Sequence, residues 1–202
     1  MTRRLYLVLS LVILLCSCQS RNQNQNSETN HAGPGGAPAA NKSQPEGGEK
    51  MRIKVTSTAF TDGGMIPKQY TCDGPNVSPP LAWDSLPDDT KTVALIADDP
   101  DAPGKTWVHW VVFDVPASVK SLPENVSPQQ TIPGGGKQGT NDFHKIGYGG
   151  PCPPSGTHRY YFKIYALDKE LGLDGKTTKD QLLRAMEGHI LAQGQLMGIY
   201  KR

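Results

Sequence analysis

The chain has 202 residues, 36% of them hydrophobic, with 21 Lys and Arg against 19 Asp and Glu and a formal net charge of +2 at pH 7. That length leaves room for one domain with appendages, and the near-neutral balance provides no electrostatic footprint for nucleic acid. The 22 glycines and 17 prolines imply short elements joined by many loops and exclude a coiled coil.

Residues 1–17 read as an export signal. Arg3 and Arg4 precede an apolar run over residues 5–15 that only Ser10 interrupts, which is the charge order of a signal peptide. As a helix this run rises about 16 Å, against a hydrocarbon core of about 30 Å, so cleavage is expected in preference to a permanent span. The tetrapeptide Leu15-Cys16-Ser17-Cys18 resembles a bacterial lipobox, in which a small residue precedes a cysteine that receives diacylglycerol. Cys18 is therefore the expected lipidation site, since processing at Cys16 would put Leu15 where a small residue belongs; a plain secretory signal is the alternative. Gln19 after the anchor resembles the sequence of Gram-negative lipoproteins passed to the outer membrane, which sets the expected location as extracytoplasmic and membrane-anchored.

Residues 18–50 form the expected lipidated tether. From Gln19 onward they are mostly Asn, Gln, Ser, Gly, Pro and Ala with no large apolar side chain, too little to offset the entropy of ordering. As a flexible coil of about 32 residues the tether reaches roughly 30 Å. Removal of residues 1–17 takes away two positive charges and no negative ones, leaving a formally neutral chain. Acyl chains, and not a basic patch, would then hold it to the membrane.

Residues 51–202 form a domain of ordinary size. Runs rich in Val, Ile, Tyr, Phe and Trp at 51–55, 92–97, 107–115 and 158–167 are expected strands. Pro-rich and Gly-rich stretches between them are too long for tight hairpins and are natural carriers of function. A helix is expected over 178–193: Thr178 and Gln181 make a capping box, Leu182, Met186 and Ile190 share a face, and Gly194 suits a left-handed stop. Strands first and a helix late point to a mainly β protein, an antiparallel β-sandwich with the helix covering an edge or end, and not to a doubly wound α/β fold.

Alternation sorts side chains by face. His158, Tyr160, Phe162 and Ile164 share one side of their strand, and His109 falls with Trp107 and Val111, opposite Val108, Trp110 and Val112. Each histidine alone reads more readily as a satisfied structural residue than as a site residue, and Asp98, Asp99 and Asp101 read as a solvated turn or a pocket rim. Gly134-Gly135-Gly136-Lys137 lacks the spacing of a phosphate-cradling P-loop, and there is no GxSxG nucleophile elbow. Cys152 with His109 could mimic a thiol nucleophile pair. Asp99, His109 and His158 could surround a metal, although their spacing is not that of a familiar zinc site.

Four co-linear motifs go further. Asp99-Pro100-Asp101-Ala102-Pro103, the strand from Trp107 to Val111, the segment from Gly134 to Phe143, and Gly147-Tyr148-Gly149-Gly150-Pro151-Cys152-Pro153-Pro154-Ser155-Gly156-Thr157-His158-Arg159-Tyr160 together resemble the phosphatidylethanolamine-binding protein family. Tyr70-Thr71-Cys72-Asp73-Gly74 and Ser78-Pro79-Pro80-Leu81-Ala82-Trp83 look like its bacterial branch, the Raf kinase inhibitor-like proteins. The resemblance implies a β-sandwich with a small cavity for phosphate-like anions and phosphorylated head groups. Its walls would be Asp99, Asp101, His109, Pro153, Pro154, His158 and Tyr160, with no metal and no cofactor. Imidazole and phenol groups can donate to anion oxygens, as can backbone N–H groups of the Gly-rich loops, while Asp99 would orient a histidine.

With Cys16 removed and Cys18 lipidated, Cys72 and Cys152 remain in an oxidising compartment, either as a disulfide or as two buried thiols. The expected protein is a lipid-anchored binding module for a small phosphate or phosphoethanolamine-like anion, with no nucleic-acid partner and no catalysis required. The alternative is an envelope hydrolase or metallo-enzyme with Asp99 and His109 as acid and base. A third role would have the pocket dock a protein segment, but a kinase of the cytoplasm would not meet a secreted lipoprotein.

Overall fold

The structure, a computed structural model, describes residues 52–202; the export signal, Cys18 and the tether lie outside the described residues. In chain order the elements are β1 (Lys54–Thr56), β2 (Gly64–Met65), a 3-10 turn (Lys68–Tyr70), β3 (Leu81–Asp84), β4 (Thr92–Asp99), β5 (Trp107–Pro116), β6 (Ser121–Leu122), β7 (Lys137–Gln138), β8 (Thr157–Leu167), α1 (Lys179–Met186) and β9 (Ile190–Lys201). They form a three-stranded sheet, β1-β3-β6, and a six-stranded sheet, β2-β9-β8-β4-β5-β7. All pairings are antiparallel except that of β2 with β9. This is the mainly β, two-sheet architecture expected from the sequence.

The sequence of β4, Thr-Val-Ala-Leu-Ile-Ala-Asp-Asp, has no polar alternation, and every residue in it is buried. A strand that reads this way is covered on both faces. Its inward residues Val93, Leu95 and Ala97 join an inner core between the sheets with Val55, Leu81, Trp83, Trp110, Phe162 and Ile164. Its outward residues Ala94 and Ile96 join an outer core with Val108, Val111, Phe113, Leu167, Leu182 and Met186. Burying each such aliphatic or aromatic side chain contributes about 1.5–3 kcal/mol relative to exposure.

Leu182 and Met186 belong to α1, so the helix lies on the outer face of the large sheet, where the sequence reading had it covering an edge or end. It is also shorter than expected. The Thr178–Gln181 capping box is present, but α1 stops at Met186, and Gly188, at φ 77°, makes the left-handed stop. Residues 190–193 start β9, which pairs with β8 along its length. Gly194 is thus a strand residue, and glycine is needed there because a Cβ would collide with the Ile53 carbonyl oxygen where that segment lies alongside β9.

Candidate functional site

The C-terminal end of β4 and the N-terminal ends of β5 and β8 meet at one end of the large sheet, because both β5 and β8 run antiparallel to β4. Asp99 is in register with Trp107, and His158, the second residue of β8, lies beside Asp99. A cavity of about 270 Å³ opens there, lined by Asp99, Ala102, Pro103, Trp107, His109, Phe143, Cys152, Pro153, Pro154 and His158. Segments separated by up to sixty residues in sequence therefore converge on one hollow.

Its polar side is built from three buried groups, Asp99 at 3%, His109 at 4% and His158 at 7% exposure. His158 Nδ1 lies 2.8 Å from Asp99 Oδ2, and Asp99 Oδ1 accepts the Asp101 backbone N–H at 2.8 Å. A carboxylate in that position fixes both the tautomer and the ring plane of the histidine. His109 Nδ1 donates to the Gly149 carbonyl oxygen at 2.6 Å. A carbonyl can only accept, so the hydrogen of neutral His109 sits on Nδ1 and Nε2 keeps a lone pair. Burial holds His109 below the usual imidazole pKa, against the opposing pull of the Gly149 carbonyl and the Asp99 and Asp98 charges.

How His109 reaches the cavity corrects the face assignment made from strict alternation. β5 carries one extra residue opposite the Ala97–Asp98 step, since Ala97 pairs with Trp110 and Asp98 with Val108. The bulge puts Val108 and Val111 together in the outer core, while Trp110 faces the inner core. His109 turns inward beside Tyr160, ring edge to ring face at 5.2 Å. Bulges re-aim side chains in this way beside functional sites.

The apolar side contains residues that sequence reasoning did not single out as walls. Trp107 and Phe143 meet edge to face at 5.5 Å, and Phe143 also contacts His109 at 5.4 Å. Buried Asn141 shapes the Phe143 turn, accepting from the Phe143 and Lys145 N–H groups and donating to the Gly147 carbonyl. Gly149 is required beside it, because a Cβ would fall 2.6 Å from the Phe143 ring. The i, i+2 spacing of Trp107 and His109 was the available signal for Trp107. Phe143 closes the Gly134-to-Phe143 motif, but its place in the wall depends on a loop that the sequence does not set.

Asp99, His109, Pro153, Pro154 and His158 line the cavity; Asp101 and Tyr160 do not. Asp101 grips Arg159 through two side-chain contacts and accepts the Arg159 backbone N–H. The guanidinium holds its carboxyl down to about 2. Asp101 thus ties the 99–103 turn to β8 and is a positioning residue. Tyr160 stands behind His109, buried, and its phenol oxygen has no hydrogen-bond partner among the described residues. Burial, with the Asp99 charge beside it, raises its pKa.

Three of the Gly-rich N–H groups are occupied elsewhere: Gly139 donates to Val111, Gly149 to His109 and Gly150 to Asn76. The Gly134–Gly136 stretch packs near Val115 and Pro116, toward the other end of β5. Cys72 and Cys152 form a disulfide, so Cys152 carries no thiol to act as a nucleophile. Among the described residues no cluster of three or more His, Cys, Asp or Glu side chains is placed to hold a metal ion, and no helix is long and apolar enough to cross a membrane.

Chemically, the hollow presents an oriented imidazole backed by a carboxylate, a second imidazole with a free lone pair, and an aromatic and proline wall. Residues 56–201 match the family model for phosphatidylethanolamine-binding protein. A UPF0098 protein of Methanothermobacter thermautotrophicus is 54% identical over 150 residues, covering 74% of this chain and 99% of that one. Its counterpart in Aquifex aeolicus is 50% identical over 154 residues, 74% of this chain and 89% of the other. Among solved structures, Escherichia coli YbcL, described as a new member of the mammalian PEBP family, superposes with a TM-score of 0.70 at 33% identity, covering 75% of this chain and 99% of its own. The phosphatidylethanolamine-binding protein homologue CT736 from Chlamydia trachomatis gives 0.69 at 42% identity, covering 75% and 98%. With its sandwich, its cavity and these likenesses in agreement, the chain belongs to the phosphatidylethanolamine-binding protein family.

Proposed function

We propose that this chain is a lipid-anchored, extracytoplasmic binding module of the bacterial Raf kinase inhibitor-like branch, whose cavity takes a phosphate-like or phosphorylated small molecule. The observation that carries the ligand reading is the Asp99–His158 pair at 2.8 Å beside His109 in one buried hollow. In its imidazolium form His158 has a second N–H, on Nε2, and no protein group among the described residues takes it. The aromatic and proline wall suits the carbon substituent of such a ligand. The anchoring rests on the Leu15-to-Cys18 lipobox and the polar stretch after it.

Calorimetric titration of the purified protein with phosphoethanolamine tests the ligand reading. Asp99→Ala and His158→Ala should each weaken binding by about 1–3 kcal/mol, the cost of removing one partner of a buried hydrogen-bonded pair; equal affinity in both variants would contradict it. Cys18→Ser should move the protein from the membrane to the soluble fraction, and unchanged fractionation would exclude the anchor.

A further inference from the structure

An oxyanion site ordinarily surrounds its ligand with fixed positive charge or with N–H donors. This cavity has no fixed positive charge, and the one buried side-chain N–H left unpartnered in its wall, among the described residues, is Nε1–H of Trp107. Among the described residues, no lysine or arginine lines it, and the N–H groups of Gly139, Gly149 and Gly150 are consumed by the protein itself. Asp99 is buried in its wall, so a doubly charged ligand would be desolvated against a carboxylate with at most one imidazolium to offset it.

The second observation is the orientation of His109. Its Nδ1–H is spent on the Gly149 carbonyl at 2.6 Å, so the nitrogen left over is an acceptor. Nε2 has no partner among the described residues, in a ring that is 4% exposed and lines the hollow. The charged and titratable groups around it come from every neighbouring element. Asp99 and Asp98 end β4, with Asp98 already holding Lys163 and Lys179. His158 and Tyr160 come from β8, and the Lys105–Asp142 pair sits beside Trp107. Nothing among them gives Nε2 a hydrogen; the ligand must bring one.

Building on the anion reading above, we infer that the cavity selects an oxyanion that keeps one acidic hydroxyl, such as a singly ionised phosphate monoester, whose P–O–H donates to Nε2 of His109. The phosphoryl oxygens of the same group then accept from Nε2–H of His158 in its imidazolium form. A phosphate diester carries the same single charge but has no hydroxyl, and a monoester dianion has lost it. Both leave the His109 lone pair buried against a ligand oxygen, two acceptors facing each other.

Methyl phosphate and dimethyl phosphate separate these cases. The second ionisation of a phosphate monoester lies at about pH 6, so its singly ionised share rises about tenfold from pH 7 to pH 5. Dimethyl phosphate keeps one charge throughout, so protein protonation that favours both ligands equally cancels in their ratio. Titrations of the full-length protein should show the affinity ratio of methyl over dimethyl phosphate rising about tenfold between pH 7 and pH 5. In His109→Asn, whose carboxamide can keep the bond to Gly149, the ratio should stay flat. A ratio independent of pH in the native protein, equal affinities at pH 5, or a full rise retained in His109→Asn would each overturn the inference. Binding of neither ligand would instead remove the anion reading on which it rests.

Discussion

His109 and His158 differ by what their Nδ1 atoms meet, a carbonyl oxygen in one case and a carboxylate in the other. That difference is invisible in sequence, because it depends on Gly149, forty residues away from His109, and on Asp99, fifty-nine from His158. The sequence singled out both histidines through their motifs and took both as donors, whereas the structure spends Nδ1–H of His109 on a carbonyl. Strict alternation also placed His109 on the face of Val111, since it carries no warning of a bulge. The state of His109 has a consequence for stability. Burial lowers its folded pKa below the ordinary 6.5, so in acid the unfolded chain binds a proton that the folded chain resists. Its contribution is therefore complete above about pH 6.5 and is lost as pH falls below it, at up to about 1.4 kcal/mol per pH unit. Urea unfolding at pH 7.5, 6.5 and 5.5 should show a shallower acid loss in His109→Asn than in the native protein; parallel curves would mean that His109 takes up its proton as readily in the fold as in the unfolded chain.

At the scale of elements, the long apolar strands were legible and the end of the chain was not. β4, β5 and β8 appear in the sequence as runs of β-branched and aromatic residues, each within a few residues of its observed bounds. β9 was hidden because Ile190 continues the helical spacing of Leu182 and Met186, and because glycines at 194 and 198 weaken its strand pattern. Those glycines answer to tertiary crowding: Ile53 packs over the first, and Ile66 and Phe60 over the second. The capping box, a purely local device, was legible and is present. Thr178 satisfies the first turn of an eight-residue helix that would not persist alone in water. Thr178→Ala should therefore lower the unfolding free energy by about 1 kcal/mol, read by chemical denaturation. No change would mean that the outer-core contacts of Leu182 and Met186 hold α1 without its cap.

For the molecule as a whole, the cavity depends on loops held far from their sequence neighbours. The 147–156 segment supplies Cys152, Pro153 and Pro154 to the wall, and it is tied to the 70–76 segment by the Cys72–Cys152 disulfide, by Tyr148 donating to the Tyr70 carbonyl, and by Gly150 donating to Asn76. The cysteine count indicated this pair as a disulfide or as two thiols; only coordinates choose between them. The bridge closes a sequence separation of 80 residues, for which constraint of the unfolded chain is worth about 4 kcal/mol. Cys72→Ser with Cys152→Ser should lower the unfolding free energy by about 2–4 kcal/mol, and alkylation of the unfolded, unreduced native protein should label neither Cys72 nor Cys152; labelling of both would remove the bridge. The account of function rests on one convergence, that of Asp99, His109 and His158 around a single small oxyanion. Imidazole nitrogen resonances of the purified protein, followed during titration with inorganic phosphate to millimolar concentration, test it most directly. Saturable shifts at both His109 and His158, absent in Asp99→Ala, are the expected result. Unchanged resonances at both histidines would contradict the account.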